Sequence, residues 1–94
     1  MRITGIIWLE DIVDKLEQKH AIQKHEVKEV LGGRAWFRFM EKGHRPGENL
    51  YAAFGQTEDG RYVIVFFVHK LDGQALVVSA RRMTATERRA YERR

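Results

Sequence analysis

Tyr62-Val63-Ile64-Val65-Phe66-Phe67-Val68, bracketed by Asp59-Gly60 and Asp72-Gly73, decides the fold class. Seven residues, β-branched or aromatic, form a run apolar on both faces. Such a run suits the central strand of a sheet, covered on both sides. Asp-Gly between apolar runs is a strong hairpin signal, because a type I′ turn needs φ > 0 at both central positions. The neighbouring runs, Leu50 to Thr57 and Ala75 to Ala80, then join it in an antiparallel meander.

Outward toward the N-terminus, Ala35, Phe37 and Phe39 alternate with Trp36, Arg38 and Met40, the period of a half-buried strand. Lys42 to Glu48 holds Gly43, Pro46 and Gly47 and reads as a loop. Before it the period is helical. Leu9, Ile12, Val13 and Leu16 form one apolar stripe, and that helix ends near Lys19-His20. A second helix runs from Ile22 to Leu31, with Val27, Val30 and Leu31 inward, closed by Gly32-Gly33. Ile3 to Trp8 is a short strand. Thr84-Ala85-Thr86-Glu87 is a capping box that opens a C-terminal helix to about Arg93. The expected fold is α+β, in the order β-α-α-β-β-β-β-α, a twisted antiparallel sheet with helices on one face.

The chain's 94 residues allow one domain, residues 1–94, with a small core. With 44% hydrophobic residues it has the apolar surface to offset ordering entropy, so it is not a disordered chain. No apolar run approaches the roughly 20 residues of a membrane span. No secretory signal is visible and there is no cysteine, which points to the cytoplasm and removes disulfides and thiolate metal sites. The four histidines lack metal-ligand spacing, so neither a metal nor another cofactor is expected.

The net charge of +4 is unevenly placed. Residues 81–94 carry six arginines against two acids, while residues 1–80 are balanced. A positive terminus points to an anionic partner, nucleic acid or an acidic protein.

Three pieces in order carry a family resemblance. Ile7-Trp8, Asp14-Lys15 and Lys19-His20-Ala21-Ile22 come first. Phe54-Gly55-Gln56-Thr57 with Asp59-Gly60-Arg61 and the apolar strand come second. Val78-Ser79-Ala80-Arg81-Arg82 with Thr86-Glu87-Arg88-Arg89 and Tyr91 comes third. Together they resemble the BrnT family of bacterial type II toxins, relatives of the RelE-like ribonucleases. Asn49 stands where that family usually carries a base, and Val68-His69-Lys70 where it carries Thr-x-Arg. The resemblance implies a RelE-like fold and metal-independent cutting of RNA, including ribosome-bound mRNA. It also implies a cognate antitoxin, a ribbon-helix-helix DNA-binding protein, and a dimer or hetero-oligomer with it.

Such cleavage uses the RNA's own 2′-OH as nucleophile. It needs cations on the phosphate and groups that move protons. Arg61 and Arg81 are the phosphate candidates, because a planar guanidinium pairs with two phosphate oxygens. His20 or His69 would transfer protons. Lys19 supports the first site. Lys70, Arg82, Arg88, Arg89 and Tyr91 would bind RNA. Each has a plain structural alternative: a hairpin charge for Arg61, a salt bridge to Glu87 for Arg81, helix-dipole complements for Lys19 and His20, and packing for Tyr91, Trp8 and Trp36. His25 and His44 read as surface residues. The competing function is a non-catalytic RNA- or protein-binding module on the same fold. The catalytic reading requires Arg61 and Arg81 to converge on one face.

Overall fold

A computed structural model describes residues 1–94. The elements are β1 (Gly5–Ile7), α1 (Glu10–His20), α2 (Lys24–Gly32), β2 (Trp36–Glu41), β3 (Leu50–Gln56), β4 (Tyr62–His69), β5 (Gln74–Arg82) and α3 (Ala85–Arg93). Their order matches the expected one. They form a single sheet in the order β1-β5-β4-β3-β2, with β4 in the middle. No helix is long and apolar enough to cross a membrane.

Two expectations about the sheet need correction. The sheet is mixed, because β1 pairs with β5 in parallel. Thr4 anchors that edge: its amide and hydroxyl donate to the carbonyls of Gly73 and Asp72, both at 3.0 Å. The helices also do not share one face. Alternation along β4 sends Val63, Val65 and Phe67 to one side and Tyr62, Ile64, Phe66 and Val68 to the other. The first set joins Leu16, Ile22, Val27 and Val30 in the main core, beneath α1 and α2. Tyr91 of α3 instead meets Tyr62, edge to face with ring centroids 6.0 Å apart, on the second side. The fold is therefore a sheet with two helices on one face and α3 over one end of the other.

The turns also differ from expectation. Gly60 and Gly73 have φ of +91° and +90°, but neither Asp59 nor Asp72 lies in the left-handed region. The Gly60 amide donates to the Thr57 carbonyl, and the Gly73 amide to the Lys70 carbonyl. Each loop is thus a four-residue turn whose last residue is a left-handed glycine, the bulged three-residue form, rather than type I′. The glycine is needed one place later than a type I′ reading puts it.

Close approach fixes α2 on the sheet. A Cβ on Gly55 would lie 2.9 Å from Cγ1 of Val30, so β3 meets the helix there without a side chain between them. Ile22, expected to open the second helix, lies in the connection before it and is 1% exposed. Ala21, just before it, has φ of +53°, and the Ile22 amide donates back to the Leu16 carbonyl. That bond closes α1 in a Schellman-type cap.

Candidate nucleic-acid interface

The expected site residues fall into three groups, of which the first and third meet at one recess. The first lies where the β3–β4 turn meets the α1–α2 junction. Here Arg61 follows the turn, with its amide donating to the Thr57 hydroxyl. Its guanidinium donates to Oε2 of Glu26 at 3.0 Å and to the Ala21 carbonyl at 3.3 Å. Glu26 is only 4% exposed and also accepts from the Gln23 amide, completing the cap of α2. Arg61 is therefore a staple between sheet and helices. A cavity of about 360 Å³ opens beside it, lined by Glu17, Ala21, Gln23, His25, Glu26, Asp59 and Arg61. Three carboxylates face that space, which makes it a poor seat for phosphate. The Thr57 hydroxyl bond to Asp59 holds that carboxyl below its usual range, which keeps the acid charged there. Lys19 and His20 occupy the last turn of α1, where the Lys19 ammonium complements the helix dipole.

The second group sits at the far end of β4. His69 lies about 26 Å along the strand from Arg61, at roughly 3.3 Å per residue. Its Nε2 is 3.0 Å from the Arg2 carbonyl oxygen, and its ring packs edge-on against Tyr51 and Phe67. Lys70 pairs with the buried Glu48 at 2.9 Å, and Glu48 also accepts from the Leu71 amide. That pair clamps the β2–β3 loop to the β4–β5 turn. The Lys70 bond, ahead of the Leu71 amide, holds the Glu48 carboxyl below its usual range.

The third group is on the sheet face that α1 and α2 leave uncovered. Register sets its side chains in rows: Trp36, Phe54, Ile64 and Arg81 across one, Arg38, Ala52, Phe66 and Ser79 across the next. The Arg81 guanidinium lies 5.6 Å from the centre of the Phe66 ring. Glu87 grips it end-on: Nη1 and Nη2 donate to the two carboxylate oxygens at 2.8 and 2.9 Å. Nη1 also donates to the Arg82 carbonyl. Of the five guanidinium hydrogens, those bonds leave the side-on fork of Nε and Nη2 free. The Arg81 bond, foremost, pulls the Glu87 carboxyl down to about 2, and Glu87 raises Arg81 in turn. The Thr84–Glu87 capping box read from the sequence is present, with the Thr84 amide also donating to Glu87.

On α3, Arg88 stands over the Tyr62 ring at 4.0 Å and Arg89 is exposed; Arg82, also exposed, ends β5 opposite Val63, one place on from Arg81. Tyr91 is buried and docks the helix, so the packing alternative holds for it. A shallow recess of about 410 Å³ beside α3 is lined in part by Arg61, Tyr62, Arg82 and Arg88.

The convergence of Arg61 with Arg81 that the sequence reading requires is therefore not found: the Arg61 guanidinium bonds Glu26 and Arg81 stands on the open face, although Arg61 shares the recess beside α3 with Arg82 and Arg88. Neither His20 nor His69 lies beside Arg81. No three His, Asp or Glu side chains are grouped to hold a metal ion. Sequence reasoning read Trp36 as packing rather than as a base-stacking platform and passed over Arg38 and Phe54, although strict alternation had already put Trp36 and Arg38 on one face. No family model matches the chain, and no curated protein matches it.

Proposed function

We propose that the protein is an RNA-directed toxin of the BrnT type, silenced by a cognate antitoxin, in which cutting through the substrate's own 2′-OH runs on Arg81 without the Arg61 partnership that the sequence reading required. The observation that carries this reading is Arg81: a guanidinium locked in place by Glu87, with its side-on fork free, on an apolar sheet face flanked by the arginines of α3. A preorganised fork of this kind pairs with two phosphate oxygens and stabilises charge that builds on phosphorus. Arg82, Arg88 and Arg89 supply the field that gathers the backbone. Arg61, expected on the phosphate, serves instead to hold sheet and helices together. Those revised roles rest on the resemblance for the reaction and on the geometry for the residues.

A second reading, binding without cleavage, is favoured by one observation. No histidine shares the face with Arg81, since His69 is tied to the Arg2 carbonyl on the helix side. The test is incubation of purified protein with RNA in a metal chelator. The toxin reading expects fragments with 2′,3′-cyclic phosphate ends, lost in Arg81→Ala and kept in folded Lys19→Ala. It also expects growth arrest on expression, relieved by the antitoxin. RNA that is bound in a salt-sensitive way but left whole, together with harmless expression, would leave only the binding module.

A further inference from the structure

Trp36 is one of two tryptophans, and the two have opposite surroundings. Trp8 packs against the main core, with the Lys24 ammonium 5.4 Å from its ring centre. Trp36 is on the open face, half-buried, beside Phe54 with ring centroids 5.0 Å apart and planes tilted by 48°. The guanidinium of Arg38 lies over the indole at 5.1 Å. Arg38 is exposed and has no carboxylate partner and no hydrogen bond, whereas Arg61, Arg81 and Arg88 are each paired with an acid.

Between Arg38 and the next ring, Phe66, stands Ala52, and beyond Phe66 stands Ser79. Ala52 and Ser79 flank Phe66, so this row is lower than the row of Trp36, Phe54 and Ile64 beside it. The Trp36 and Phe54 rings are only half-buried, and the cation over Trp36 has no acid partner. An unpaired nucleotide satisfies both: its base offers a π-face, and its phosphate offers the negative charge. A duplex satisfies only the charge, because its bases are already stacked.

We propose that Trp36, Phe54 and Arg38 form a base-stacking subsite for one unpaired nucleotide. It lies on β2 and β3, across β4 from Arg81. The base stacks on the Arg38–Trp36 pair and the neighbouring phosphate meets the guanidinium. This inference rests on the RNA reading above, and it adds selection for unpaired RNA to it.

The test uses the full chain carrying Trp8→Phe, so that Trp36 alone emits. Titration with short oligoadenylate should quench its emission, and the same length of RNA duplex should not. Trp36→Ala should weaken oligoadenylate binding roughly tenfold while leaving duplex binding unchanged. Arg38→Ala, a change at an exposed side chain with no hydrogen bond or acid partner, should weaken oligoadenylate binding severalfold with the urea midpoint unchanged. Oligoadenylate that binds by mobility shift without quenching Trp36, or with equal loss on duplex, overturns the subsite and leaves the RNA reading standing. If neither RNA binds, both readings fall. If Trp36 emission follows the protein's own concentration and ignores RNA, the face joins two copies of the chain and the subsite is overturned.

Discussion

The two faces of the sheet are made from the same strands, yet they serve opposite ends. On the helix side, Val63, Val65 and Phe67 are wholly buried, and the cation Arg61 is absorbed by a buried glutamate. On the open side, Ile64 is buried too, but Phe66 and Val68 remain half-buried, and Arg81 is held by a glutamate whose side chain is still 27% exposed. Both arginines have one acid partner. The two guanidiniums are about equally exposed, at 36% and 38%, so the difference lies in the acid: a buried glutamate ties its cation to the fold, whereas a partly exposed one at a sheet surface leaves donors for a ligand.

That contrast can be broken most forcefully at neighbouring rings. Phe67→Ala should lower unfolding free energy by about 3–5 kcal/mol, since it opens a cavity in the covered core. Phe66→Ala, one residue away, should cost roughly 1 kcal/mol, because it removes a ring that is already partly wet. Urea titration of both variants checks this, and equal losses would show that the open face is as structural as the covered one.

Arg61→Ala comes next. It strips the guanidinium partner from the buried Glu26 and should cost about 2 kcal/mol, with RNA affinity intact once the protein is folded. Arg81→Ala should do the reverse, with a stability loss under about 1 kcal/mol and a clear loss of RNA affinity. Parallel denaturation and binding measurements on the pair decide the matter. The same loss of RNA affinity in both would restore the shared-phosphate arrangement.

Acid should expose the open-face pair. Glu87 has its folded value depressed to about 2, so its contribution is complete above the unfolded carboxyl value near 4.5. It is lost as pH falls from there toward 2. Partial solvent exposure limits the effect to the order of 1 kcal/mol. Glu87→Gln should flatten that part of the stability–pH curve, although Glu48, Asp59 and Asp72, also held low, retain their share. A curve unchanged by Glu87→Gln would show that the pair is not closed in solution.

The smallest change is at the helix side, where Ala21→Gly relieves a left-handed backbone at the end of α1. It should raise stability by about 0.5–1 kcal/mol with no effect on RNA binding. A shift in RNA affinity would link the α1–α2 junction to the open face.

Much of this was legible in the chain alone. Periods of two and of 3.6, the capping box at Thr84, and the apolar run at Tyr62–Val68 fixed the number, kind and order of elements and the central strand. They did so because each depends on residues adjacent in sequence. The parallel edge strand β1 was not legible, since a three-residue strand carries no mark of which neighbour it pairs with. Nor was the side on which α3 lands. An alternating strand says which residues share a face, and only the packing of distant helices decides which face is covered. That choice turned Arg61 inward to Glu26 and left Arg81, Arg38 and Trp36 outward, because a cation's role depends on the solvent and charge around it rather than on its place in the chain.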